Sequence, residues 1–208
     1  GVIGLMTGFP GVLVALTASG TTYVLGNHLD NATVVAAVAI NLTGNDLANV
    51  LTGNALANRL DGGAGIDTVI GGAGGDTYVV DQVGDVLVET SSLASEIDRV
   101  ESYVDWILGA NLENLTLLGN GNLAGTGNAL NNTLIGNAGA NVLQGGVGND
   151  TLEGAAGTDR LQGDAGDDLI VGGMGHDEAV YAGPSANYTV TATAGGYTVT
   201  DNVGSEGT

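Results

Sequence analysis

The chain has 208 residues, 38 of them Gly, and sets 23 acidic residues against three basic ones for a formal charge of −20. Nucleic acid and anionic membrane surfaces are poor partners for it, because both call for Lys and Arg clusters, and a compact fold so charged repels itself unless cations offset the charge. With no Cys, two Pro and 43% hydrophobic residues, disulfide frameworks and thiolate metal sites drop out, and collagen and outright disorder are disfavoured.

Residues 1–43 are expected to form an apolar, β-rich spacer or cap. Gly1 to Leu29 carries no charged residue, and Val12 to Leu16 is strongly apolar, but its Gly, Thr and Pro content argues against a signal peptide or membrane helix. From 44 to 88 the sequence repeats in nines: Gly44 to Thr52 (GNDLANVLT), Gly53 to Asp61 (GNALANRLD), Gly62 to Ile70 (GGAGIDTVI), Gly71 to Val79 (GGAGGDTYV), with the register continuing through Val80 to Val88. Residues 89–126 form a second β-rich spacer. There Asp98 to Leu108 alternates as a strand, which is expected to leave Asp98 and Glu101 in solvent rather than as an acid–base pair.

A second array occupies 127–180, with units opening at Gly127, Gly136, Gly145, Gly154, Gly163 and Gly172. Residues 181–208 end in an expected β-hairpin cap, Ala186 to Asp201 turning around Ala194-Gly195-Gly196. The chain starts on Gly and stops in mid-pattern, as a piece of a longer protein would. An offset of 83 residues lays YVLGNHLDNAT (Tyr23 to Thr33) on WILGANLENLT (Trp106 to Thr116), and Gly44, Asn49, Gly62, Asp67 and Asp76 on Gly127, Asn132, Gly145, Asp150 and Asp159. The chain is a tandem duplication, and Trp106, in the place of Tyr23, is expected in the core.

Each nonapeptide has Gly first, small residues next, Asp or Asn sixth and an apolar residue eighth. Gly-rich positions one to six suit a sharp turn with positive φ; positions seven to nine suit a short strand, with the eighth residues stacked into a thin core. Two nonapeptides then complete a coil, and turns on one side recur every 18 residues. This spacing stacks Asp67 on Asp85, Asp150 on Asp168 and Asp159 on Asp177, with Asn49, Asn58, Asn132 and Asn141 above Asp67, Asp76, Asp150 and Asp159. Carboxylates about 5 Å apart need a cation between them. Ca²⁺ fits, since it takes six to eight oxygens in flexible geometry, including the carbonyls that a Gly-rich turn directs inward; Zn²⁺ would want His or Cys, and only His28 and His176 are present.

The candidate ligating turns are therefore Gly62, Gly63, Gly65 and Asp67; Gly71, Gly74 and Asp76; Asp85; Gly145, Gly148 and Asp150; Gly154, Gly157 and Asp159; Gly163, Gly166 and Asp168; and Gly172, Gly175 and Asp177. Where Asn stands sixth, weak calcium binding or none is expected. The neighbouring Asn45, Asn54, Asn128 and Asn137 are expected to be turn residues that tolerate left-handed backbone and bond nearby main chain.

The units GGAGIDTVI, GGAGGDTYV and GGVGNDTLE resemble the RTX, or haemolysin-type, calcium-binding repeat, and YVVDQVGDVLVE (Tyr78 to Glu89), ENLTL (Glu113 to Leu117) and GTGNALNN (Gly125 to Asn132) resemble the spacers between such arrays. The resemblance implies an all-β fold, a right-handed parallel β-roll (β-solenoid) holding several Ca²⁺ ions between turns, exported by type I secretion and folding outside the cell. It also suggests that Glu89 and Asp81 close the lower end of the first array.

No HExxH or GxSxG is present, and His28 and His176 stand alone, so the chain is expected not to be an enzyme. Asn31, Asn114 and Asn187 begin Asn-x-Thr triplets, a chance outcome where Asn marks turns and Thr strands. A calcium-binding structural module of a secreted or cell-surface protein, of adhesin, surface-layer or matrix type, is the favoured reading, with self-assembly or other surface proteins as further partners. The alternative is the calcium-binding tail of an extracellular enzyme whose catalytic domain lies elsewhere; a pore-forming toxin would need long apolar helices, and Val2 to Leu16 is too Gly-rich for one.

Overall fold

The computed structural model describes residues 11–14, 17–93, 95–181, 188–193 and 196–201. They form two compact units, the first within 1–105 and 109–114, the second within 106–108 and 115–208. Each is a parallel β-roll, as the nine-residue period predicts. No helix occurs among the described residues, and so none long and apolar enough to cross a membrane. Most of the apolar start and the centre of the C-terminal hairpin, Ala194 and Gly195, lie outside the described residues.

In the first unit, β1 (Gly11–Val14), β3 (Asn31–Val34), β5 (Val50–Thr52), β7 (Thr68–Ile70) and β9 (Val86–Val88) make one parallel sheet. The alternate strands β2 (Thr21–Val24), β4 (Ile40–Thr43), β6 (Arg59–Asp61), β8 (Thr77–Val80) and β10 (Arg99–Ser102) pair in the same way. Leu51 lies opposite Val69, Val69 opposite Leu87 and Leu60 opposite Tyr78, so a coil does take two nonapeptides. The parallel ladder also runs upstream of the array, through β1 to β4.

In the second unit, β11 (Trp106–Ile107), β13 (Ala124–Thr126), β15 (Val142–Val147), β18 (Arg160–Ala165) and β21 (Glu178–Val180) form one sheet, and β12 (Asn114–Leu117), β14 (Thr133–Ile135), β16 (Thr151–Glu153) and β19 (Leu169–Val171) pair in order. The turn strands β17 (Ala156–Gly157) and β20 (Met174–Gly175) add a short parallel pair, and β22 (Tyr188–Thr193) runs antiparallel to β23 (Gly196–Asp201). The duplication is visible in the pairing: Tyr23 faces Leu42, and 83 residues on Trp106 faces Gly125. Trp106 itself is only partly buried, with its indole Nε1 enclosed and lacking a partner.

The eighth-position side chains make the core. Leu51, Leu60, Val69, Tyr78, Leu134, Leu143, Leu152 and Leu161 are all buried, each worth about 1.5–3 kcal/mol for an aliphatic side chain fully removed from water. Enclosure fades at the array ends, where Leu87 and Ile170 are partly exposed and Ala179 is exposed, because a solenoid repeat is covered only by its neighbours.

Candidate metal centres

The sixth-position carboxylates are stapled to the coil before them. Asp67 Oδ1 accepts the Asn49 N–H at 2.7 Å and Asp85 Oδ1 the Asp67 N–H at 3.0 Å. In the second unit Asp150 accepts from Asn132 at 2.7 Å and Asp168 from Asp150 at 2.9 Å, while Asp159 accepts from Asn141 at 2.8 Å and Asp177 from Asp159 at 3.0 Å. The stacking expected from the 18-residue spacing is therefore present in every pair.

On five of the sixth-position carboxylates one oxygen is left over. Oδ2 of Asp67, Asp76, Asp150, Asp159 and Asp168 is buried without a hydrogen-bond partner, an arrangement that costs free energy unless a cation or proton is supplied. Protein cations do not supply it. Of the three basic side chains, Arg59 pairs with Asp61 at 3.3 Å and Glu101 at 3.0 Å, Arg160 pairs with Glu178 at 3.5 Å, and Arg99 is exposed.

The electrostatics follow from that geometry. Burial, opposed by the Asn49 N–H and reinforced by Asp85, Asp81 and Asp61, pushes Asp67 up to about 6. Burial, opposed by the Asn58 N–H and reinforced by Asp98, Glu89 and Glu96, takes Asp76 to about 7. Burial likewise raises Asp150, Asp159 and Asp168. The donors at these turns are all oxygen, the set that a hard dication with flexible geometry takes.

The glycines of the candidate turns act in two ways. At position one (Gly62, Gly71, Gly145, Gly154, Gly163 and Gly172) the sixth-position carboxylate lies over the Cα, where any Cβ would overlap its Oδ2. Left-handed backbone falls instead on positions two and four, as at Gly63 (φ 78°), Gly65 (φ 126°), Gly74 (φ 104°), Gly148 (φ 127°), Gly157 (φ 139°), Gly166 (φ 139°) and Gly175 (φ 145°). Ala155 (φ 72°) and Asp164 (φ 71°) hold position two without Gly.

The Asn turns are built differently: they bond nearby main chain as expected, but without using the left-handed backbone that Asn tolerates. Asn45, Asn54, Asn128 and Asn137 are not left-handed. Asn45 Oδ1 instead accepts the Leu47 N–H at 2.9 Å, an Asx turn that needs no positive φ, and its Nδ2 donates to the carbonyls of Gly26 and Leu29 at 2.9 and 2.8 Å; Asn54 repeats the pattern toward Ala36 and Val38. The sixth-position Asn58 accepts the Asn54 N–H at 2.8 Å and donates to the Ile40 carbonyl at 2.7 Å. Its amide is bonded at both ends, whereas the Asp turns leave Oδ2 open.

The remaining acidic residues divide unevenly. Asp85 is half-buried with both oxygens accepting, and Asp177 is exposed. Asp81 has a buried, unpartnered Oδ1 and is raised by burial, Asp85 and Asp61, which places it with Asp67. Glu89 lies on the other side, bonded to Tyr78. Asp98 corrects the sequence expectation: it is buried, and its Oδ1 accepts the Asp76 N–H at 2.6 Å. Val100, two residues on in β10, and Ser102 are buried with the same parity as Asp98 just before the strand, the signal that could have found it. Glu101 sits half-exposed on the other face with Arg59. His28 and His176 are exposed.

A family model of the RTX calcium-binding nonapeptide repeat matches the chain in four copies, over residues 43–87, 126–161 and 145–179. The chain carries RTX calcium-binding repeats. All the orphaned Asp Oδ2 atoms fall inside these RTX segments. No curated protein matches the chain in sequence.

Proposed function

We propose that this chain is a calcium-dependent structural module of a secreted or cell-surface protein, of adhesin, surface-layer or matrix type, that folds when it meets Ca²⁺ outside the cell and performs no catalysis of its own. The observation that carries the reading is the set of buried carboxylate oxygens without partners on Asp67, Asp76, Asp150, Asp159 and Asp168. Those carboxylates, with Asp85, Asp177 and the carbonyls of the glycine turns, would hold the ions.

Bound calcium would supply charge compensation between stacked coils. The residues do the rest: position-one Gly lets the carboxylate lie over the turn, the sixth-position Oδ1 fastens one coil to the next, and the eighth-position side chains close the core. Because the turns cannot stay shut while their carboxylates repel, binding energy becomes folding energy. Extracellular calcium modules bind at about 10⁻⁴ to 10⁻³ M, so the chain would remain unfolded at cytosolic calcium and suit export before folding.

Far-ultraviolet circular dichroism during a Ca²⁺ titration, with Mg²⁺ as the control, tests this. A cooperative, Ca²⁺-specific transition from coil to β is expected. A chain equally folded in chelator sinks the mechanism.

A further inference from the structure

The geometry points to a separate oxygen-donor cation site where the first array meets its spacer, held by Asp76, Glu89 and Asp98, with Tyr78 orienting Glu89. It rests on the calcium reading above for the identity of the cation and shares Asp76 with it, while Glu89 and Asp98 lie outside the stacked turns.

Ligand atoms of the three carboxylates lie within 4.8 Å of one another, and Asp76, Glu89 and Asp98 are 1%, 9% and 1% exposed. The cluster does not stand on acidity alone. Asp76 Oδ2 is buried and unpartnered, and it lies over Gly71, where the Tyr78 hydroxyl also comes close. That hydroxyl donates to Glu89 Oε2 at 2.7 Å, and the Ser91 N–H holds Oε1 at 2.6 Å. The orphaned oxygen, the phenol and the glutamate thus converge on one point. None of the ion pairs formed by Arg59 and Arg160 involves these three carboxylates.

The site differs in construction from the array turns. Its step from Asp76 to Asp98 is 22 residues, not 18. Glu89 stands 18 residues after Gly71, in the register place that belongs to Gly in the arrays, and Tyr78 takes an eighth position otherwise held by aliphatic residues. The duplication supplies an internal control: 83 residues on, Tyr78, Glu89 and Asp98 become Leu161, Gly172 and Tyr181, so Asp159 has only its array partner Asp177. The cation would tie spacer residues 89–98 to the first array and to no second counterpart.

The test uses Tb³⁺, an oxygen-seeking stand-in for Ca²⁺, with emission excited through tyrosine in the full chain, alongside native mass spectrometry with Ca²⁺. The wild type should give sensitised emission that Ca²⁺ displaces. Tyr78→Phe should lose most of it and bind there about tenfold more weakly or worse, as loss of an orienting partner does. Glu89→Gln should hold one ion fewer, and Asp98→Asn, which keeps an acceptor for the Asp76 N–H, should do the same if Glu89→Gln does not fold. Absence of sensitised emission from the wild type, or emission and ion count unchanged in the variants, overturns the site. Asp150→Asn separates the two readings: if it loses an ion while Glu89→Gln does not, the array sites stand and this one falls, whereas a wild type that binds no ion removes both.

Discussion

The main-chain N–H of Asp150 donates to Asp168 Oδ1 at 2.9 Å, so a carboxylate that stacks against another carboxylate also fastens the two coils together. Asp168→Asn preserves that acceptor and removes the charge. In chelator the variant should be more stable than wild type, because a buried charge without a counter-ion costs more than a buried neutral amide, while its calcium midpoint should rise several-fold. Asp168→Ala, lacking the acceptor, should be weaker under both conditions. Chemical denaturation with and without Ca²⁺ measures both effects, and identical behaviour of Asn and Ala variants would contradict the two-part role.

Acidity should partly replace calcium. Asp67, Asp76 and Asp98 are raised from an ordinary value of 3.8 to about 6, 7 and 6 by burial first and by neighbouring carboxylates next. Between about pH 4 and 7 the folded chain therefore holds more protons than the unfolded one, and its stability falls as pH rises through that window. In chelator, circular dichroism at pH 5 should show more β structure than at pH 8. Added NaCl screens the general repulsion of a highly acidic chain but cannot protonate a buried carboxylate, so salt alone at pH 8 should recover less. Equal spectra at the two pH values would refute the assignment.

Much of this was legible in the sequence because a solenoid converts spacing directly into position. A strict nine-residue period fixes the 18-residue coil, and the coil fixes which Asp lies on which; Asp150 over Asp168 needs no further information. Two features were hidden. Asp98 breaks the period, its 22-residue step from Asp76 being set by the length of the spacer, so only its parity with Val100 betrays it. The backbone of Asn45 depends on a choice between left-handed geometry and an Asx turn, and that choice is made by the carbonyls of Gly26 and Leu29 in the coil above.

Glycine should be irreplaceable at position four of the Asp turns, whereas position two can do without it where φ stays near 70°, as at Ala155 and Asp164. Gly148 has φ 127° and faces the Leu130 carbonyl, which a Cβ would overlap. Gly148→Ala therefore combines left-handed strain of about 1–2 kcal/mol with a backbone clash, and should cost more than about 2 kcal/mol in saturating Ca²⁺. Ala155 already tolerates φ 72° at position two, and Ala155→Gly should change stability by no more than about 1 kcal/mol. Denaturation midpoints decide the matter, and a Gly148→Ala chain as stable as wild type would count against the turn geometry.

The Asn turns should be convertible into cation-requiring ones. Asn58 Nδ2 donates to the Ile40 carbonyl at 2.7 Å while Oδ1 accepts the Asn54 N–H at 2.8 Å. Asn58→Asp turns the donor into a second acceptor, so a carboxylate oxygen faces a carbonyl with nothing between them. In chelator this should cost about 1–3 kcal/mol, the penalty of an unsatisfied buried group. Two facing oxygens in a glycine-flanked turn are also what a hard dication accepts, so Ca²⁺ should return part of the loss. Asn58→Ala removes both bonds and offers no ligand, and should be destabilised to the same extent with or without Ca²⁺. If Asn58→Asp responds to calcium no more than Asn58→Ala does, the amide is not standing in for an ion.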